Sequence, residues 1–377
     1  MEKAVDLSEN FAKIGPRKRQ SNIELYRIIV MLLIVSHHYV VNSGLFDDAG
    51  PIMANPLSGK SIYLLLFGAW GKTGINCFVL ITGYFMCKGH ATVSKFLKLL
   101  FEVLFYKAVI YIIFVLTGIE RFSVKGAVIS LLPVTQLEKG FTSCFLVFYL
   151  FIPVLNLLIH HMTELQHRYL LAVFGFFYVI LGSVPKFEVT FNYVSWFVFL
   201  YFVASYIRLY PIPWLEKTKN CLALMAISLL LAISSVVVMT FLGGKFLHMF
   251  VGYFFISDSN RILALVCGIT SFLFFKSIKI PYNKTINLIS ASTFGVLCIH
   301  ANSAAMRWWL WVDVLDNVGN YDMCFIHSIL SVLVIYIVCT AIDIVRINLI
   351  EKPFMKWFDA HFNIFQVERI WKESEGS

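Results

Sequence analysis

The sequence predicts an all-α fold, a polytopic transmembrane helix bundle of about ten spans with both termini cytoplasmic. Three observations predict it. Hydrophobic residues make up 59% of the 377 and charged residues only 14%, whereas a soluble domain carries roughly 25% charged residues. The apolar residues fall in runs close to the roughly 20 residues that cross a bilayer. With the N-terminus placed inside, Lys and Arg favour the inner connections roughly two to one, as the positive-inside rule expects. The net charge of +9 then reflects orientation against an anionic leaflet. No aromatic-plus-basic stripe of the kind that binds nucleic acid accompanies it.

The chain opens with a polar stretch holding Lys13, Arg17, Lys18 and Arg19, so residues 1–21 read as a cytoplasmic tail. The first span, Asn22 to Val41, runs into SHHYVVNSG without a small-residue cleavage pattern, so it is a retained helix and not a signal peptide. The next four run from Ser61 to Cys87, Phe96 to Thr117, Phe141 to Ile159 and Tyr169 to Val184. The last five run from Tyr193 to Tyr210, Cys221 to Leu242, Arg261 to Phe275, Ile286 to Met306 and Phe325 to Asn348. The fifth and eighth are short. Residues 22–348 form the transmembrane domain and 349–377 a cytoplasmic C-terminal tail.

The connection from Gly118 to Gly140 falls outside, with an apolar middle, VISLLPV. It reads either as an interfacial segment covering an outer cleft or as a plain connector. No internal repeat is visible, which weakens an inverted-repeat transporter reading. The cysteines include no CxxC pair and lie mostly in apolar runs, so they read as small hydrophobes. Trp308, Trp309 and Trp311 read as an interfacial belt.

Ionisable residues inside membrane helices are costly and call for a reason. The first span holds Glu24, Arg27, His37 and His38. At 100° per residue Arg27 and His38 project within about 20° of one direction, roughly 16 Å apart along the axis. Glu24 lies within about 60° of that direction and His37 some 80° away. The stripe suggests a polar path with a cation at the cytoplasmic mouth and an imidazole further out. Arg27 suits a phosphate or carboxylate, and alternatively reads as a snorkelling anchor. His38 suits general-base work, with an unperturbed pKa of about 6.5, and alternatively reads as a packing histidine.

In the second span Gly71, Gly74 and Gly83 allow close backbone approach, and Asn76 and Thr82 add polar groups at membrane depth. Glu102 and Lys107 in the third span point to different faces and do not suit mutual pairing. His300 ends the ninth run, where it reads as a substrate-holding or an interfacial histidine. Asp343 and Arg346, three residues apart, read as a structural ion pair.

Four tracts together resemble the membrane acyltransferase 3 family, and within it the stand-alone polysaccharide O-acetyltransferases. They are Arg27 and His38 with ten residues between them, GINCFVLITGYF, CFLVFYLFIPVLN and INLISASTFGVLCIH. Thr82, Cys144 and Leu297 depart from the usual Ser, Trp and Tyr of these tracts. The similarity runs from about Ser21 to Phe354. It implies an integral membrane O-acyltransferase of the bacterial cell membrane that moves acetyl from cytoplasmic acetyl-CoA to a hydroxyl of a cell-surface or exported carbohydrate.

The resemblance further implies that His38 is catalytic and that Arg27, with Glu24 beside it, binds the donor. His37, Asn76, Thr82, Glu102 and His300 are further candidates to line the site. Asn76 or Thr82 would supply oxyanion donors. His38 would either deprotonate the acceptor or accept the acetyl group itself. No bound cofactor or metal is expected; acetyl-CoA is a co-substrate, and no fused esterase-like domain is expected. The expected partners are acetyl-CoA, the carbohydrate and the lipid bilayer, with no nucleic acid. The competing class is a polysaccharide or glycolipid transporter or flippase, which would need no acetyl-CoA.

Overall fold

In the computed structural model, which describes residues 19–361 apart from 90, 188 and 248, every regular element among the described residues is helical. Side-chain caps set many of the boundaries by accepting from first-turn N–H groups that have no partner inside the helix. Helix α1, Ser21–Val41, is followed by the short α2, Pro51–Ala54. Ser58 caps α3, Gly59–Gly68, which meets α4, Gly71–Met86. Thr92 caps α5, Val93–Leu116, and Ser123 caps α6, Val124–Leu131. After α7, Phe141–His161, a reciprocal Thr163–Gln166 capping box starts α8, Glu164–Phe174. Asn192 caps α9, Tyr193–Leu209. Then come α10, Thr218–Leu242, and α11, Ile262–Ser277. Asn283 caps α12, Lys284–Ala291, and Ser292 separates it from α13, Thr293–His300. Ser303 caps α14, Ala304–Trp308. Finally α15, Cys324–Arg346, continues through a wider turn into α16, Lys352–His361.

Among the described residues, seven helical stretches are long and apolar enough to cross a membrane, or eight if one bent pair is a single span. Expectations change for the fifth, sixth, eighth, ninth and last runs. The fifth run starts earlier than expected, at Glu164, because the capping box sits there, and reaches Ser183. The sixth and eighth instead form the shorter apolar helices, Tyr193–Leu209 and Ile262–Ser277. The ninth is broken, with Lys284–His300 and Ala304–Val314 meeting at 96°. The last run carries on as helix past Asn348, so the boundary drawn there falls inside a continuous element. Residues 1–18 and 362–377 of the two expected tails lie outside the described residues.

Helix α1 is the axis of the bundle. It packs against α3, α4, α11, α12, α13 and α15, and none of its residues is exposed. By contrast α5, α10 and α15 carry exposed apolar residues such as Leu116, Ile227, Leu230 and Ile337, as outer helices in lipid do. Two glycines let α4 reach α1. A Cβ at Gly71 would collide with the His37 ring, and one at Gly74 with Ile34. The two contacts step in opposite directions along the chain, so α1 and α4 run antiparallel. Extended by helical rise, that register sets Thr82 about level with Arg27.

Candidate active site

Helix α1 ends in adjacent histidines, and adjacent helical positions diverge by about 100°. His37 turns towards α3, where its Nδ1 lies 2.6 Å from the Gly68 carbonyl. His38 turns towards α13, where its Nδ1 lies 3.0 Å from His300 Nε2. His300 is fully buried, and its own Nδ1 lies 2.6 Å from the Val296 carbonyl. The indole of Trp311, also fully buried, meets the His300 ring edge-on.

These partners assign the tautomers. A carbonyl only accepts, so His300 Nδ1 carries that ring's proton and donates to Val296. In neutral His300 the Nε2 is then an acceptor, and His38 donates to it through Nδ1–H. The remaining His38 nitrogen, Nε2, keeps its lone pair and has no hydrogen-bond partner among the described residues. This arrangement can accept a proton or attack a carbonyl carbon.

His38 borders a cavity of about 520 Å³. Lys72 and Ile75 come from α4, Val103 and Lys107 from α5, Tyr193 from α9, and Cys298, Asn302 and Arg307 from either side of the 96° bend. The bend turns α14 across the mouth, which is how Arg307 joins the wall. The 118–140 connection forms the roof through Ile129, Ser130, Thr135 and Gln136, so of its two readings the covering one holds. The Lys107 ammonium donates to the Leu132 carbonyl at 2.6 Å, tying roof to wall. The Thr135 and Gln136 amides donate to Ser143 Oγ at 3.2 and 3.4 Å. Lys139 pairs with Asp258 at 2.6 Å, and Lys72 lies 4.0 Å from the other oxygen of that carboxylate. Burial pushes the Asp258 carboxyl up, but Lys72 and Lys139 outweigh it and hold it below the usual carboxylate range.

The other expected site residues lie elsewhere. Asn76 is fully buried, with its amide donating to Ser259 O at 2.8 Å and its carbonyl accepting from Trp196 Nε1 at 2.8 Å. One position on from Ile75, it faces α9 and the chain leading into α11 and does not line the cavity. Thr82 donates to Phe78 O at 3.0 Å and sits about three turns from the histidines, because α4 descends as α1 ascends. Neither residue reaches the His38 cavity, which corrects the expectation that they line it and supply oxyanion donors.

Glu102 also stands apart, at the opposite end of the bundle. It lies 3.1 Å from Arg346, which binds Asp343 at 2.8 Å and Glu351 at 2.7 Å. The expected Asp343–Arg346 pair is therefore part of a larger buried network. Glu102 borders a second cavity of about 370 Å³ with Arg19, Lys98 and Lys284. Lys107, five residues along α5, faces the His38 cavity instead.

Arg27 and Glu24 lie at that second end. Glu24 accepts from Ser290 Oγ and stands 3.9 Å from Arg27 Nε, an atom that is buried without a hydrogen-bond partner. The Arg27 side chain keeps 31% of its surface accessible and lines neither of the two cavities. A single channel from Arg27 to His38 does not form. The cavity reaches inward only to Ile34, Ile75 and Val103. On the Arg27–His38 stripe lies Met31, which is fully buried. The helical stripe is as expected, but its middle is packed hydrocarbon.

Sequence reasoning did not assign Lys72, Tyr193, Lys139, Asp258 or Asn302 to the site. They converge from five different segments of the chain, and only Asn302, two residues after His300, carried a local signal.

The long apolar helices define a multi-pass membrane protein, with a histidine pair enclosed among them. The profile of the family described as Acyltransferase domain matches residues 20–344, and the chain belongs to that family, the membrane acyltransferases to which its motifs pointed. No curated protein and no solved structure matches the chain.

Proposed function

We propose that the protein, in the cell membrane, transfers acetyl from acetyl-CoA to a hydroxyl of a cell-surface or exported carbohydrate. The observation that carries this reading is the hydrogen-bond chain Val296–His300–His38, which leaves His38 Nε2 unprotonated at the cavity wall. The acceptor hydroxyl gives its proton to Nε2 while its oxygen attacks the thioester carbonyl. The tetrahedral intermediate expels the CoA thiolate, which takes the proton back from His38. Atoms and charge balance as acetyl ester plus free CoA thiol. Lys72, a cation in the same wall, would stabilise the oxyanion in place of Asn76 and Thr82.

The donor would enter from the Arg27 end, cytoplasmic by the distribution of Lys and Arg, with the guanidinium on a CoA phosphate. Arg27 and His38 are roughly 16 Å apart on one unbroken helix, a span that suits the extended pantetheine arm. Membranes holding the protein should move label from acetyl-CoA to carbohydrate. His38→Ala should lower that rate by about 10²–10⁴-fold, the usual worth of a general base. Undiminished transfer in a correctly inserted His38→Ala protein would refute the role.

A further inference from the structure

We propose that the acceptor glycan is anionic, bearing a carboxylate or phosphodiester that Lys107 and Arg307 hold beside His38. The proposal rests on the acetyl-transfer reading and adds the charge of the substrate. Four cations, Lys72, Lys107, Lys139 and Arg307, line the cavity against one carboxylate, Glu120. Asp258 accounts for two of them, Lys72 and Lys139. Among the described residues, the ion pairs include neither Lys107, Arg307 nor Glu120.

Among the described residues, Lys107 is held by neutral oxygens, Leu132 O at 2.6 Å and Thr135 Oγ1 at 3.4 Å. Arg307 makes one long contact, 3.5 Å to Ala301 O, and so keeps most of its five donors free. Charge placed in an apolar bundle without a counter-charge is costly. A ligand anion in the cavity supplies the missing partner, and the guanidinium fork matches a carboxylate or phosphate oxygen pair. The net positive wall also draws an anionic polymer towards the mouth. The CoA phosphates are a poorer match, because in the reading above they stay with Arg27, beyond Met31.

The test uses membranes carrying the full chain, labelled acetyl-CoA and the host's own envelope glycans, followed by anion-exchange separation of the products. Base-labile label should appear in the retained, anionic glycan. Label confined to the neutral fraction overturns the proposal and leaves acetyl transfer standing; no transfer at all overturns both. Carbodiimide-directed reduction of the glycan removes carboxylates and spares phosphodiesters, so loss of acceptance after that treatment identifies a carboxylate, and its survival a phosphodiester. Lys107→Gln and Arg307→Gln should each raise the KM for the glycan about tenfold, the effect of roughly 1.4 kcal/mol, with the KM for acetyl-CoA unchanged. A rise in the acetyl-CoA KM alone would assign these cations to the donor and sink the idea.

Discussion

A neutral imidazole has one proton to place, and the partner of one nitrogen decides the use of the other. At His38 that partner is His300, itself fixed by its bond to Val296. His300 is therefore a positioning residue, and its effect should fall on kcat. His300→Ala leaves His38 free to rotate or to adopt the other tautomer. A wrong tautomer alone costs about 10⁴ in a serine protease triad, and a loss on the order of a hundredfold or more is expected here, with both KM values little changed. His300→Gln restores an acceptor for His38 Nδ1–H and should recover part of the loss. Equal defects in the two variants would reduce His300 to packing. The sequence brought both histidines into view, since each is a costly polar group in an apolar run. It could not pair them, because their contact joins residues 262 positions apart and depends on how α1 and α13 pack.

Elements were legible to the extent that their cause was local. Apolar runs marked the helices, and Gly71 and Gly74 marked α4 as a helix able to approach a neighbour closely, because a missing Cβ is visible in the sequence; that the neighbour is α1 was not. The break after His300 was not foreseen. Ser303 caps a new helix there, but a serine inside an apolar stretch is equally compatible with an unbroken one. The roof was half legible: its apolar middle suggested a cover, while its ties to Asp258 span separate connections. That tie yields a prediction. Asp258→Asn removes the charge shared by Lys72 and Lys139, a partly buried arrangement whose loss should cost about 1–3 kcal/mol. The Asp258 carboxyl is held below its ordinary value, so its contribution is fully present above the unfolded pKa of about 4 and disappears as pH falls through the lower folded value. Thermal midpoints of wild type and variant should thus differ by a constant amount from pH 8 down to about pH 5 and converge in stronger acid. A gap that closes already near neutrality would mean the carboxylate does not carry the latch.

At the scale of the molecule, Arg27 and the His38 cavity lie towards opposite ends of one central helix, joined by a stripe that Met31 interrupts. Acyl transfer from the Arg27 end to the His38 end requires the donor's arm to displace or pass that side chain. Methionine suits such a position because its unbranched thioether has three rotatable bonds and adapts to what lies beside it. The size of residue 31 should then govern which acyl groups pass. Met31→Ala opens space at a fully buried site, at a stability cost of about 2–5 kcal/mol, so rates are best compared well below its unfolding temperature. The ratio of propionyl to acetyl transfer should rise severalfold in this variant. Met31→Leu, which nearly conserves volume, should leave the ratio near that of wild type, and Met31→Trp should depress transfer of both groups. An unaltered ratio in Met31→Ala, with acetyl transfer intact, would place the acyl route away from the α1 stripe and separate the roles of Arg27 and His38.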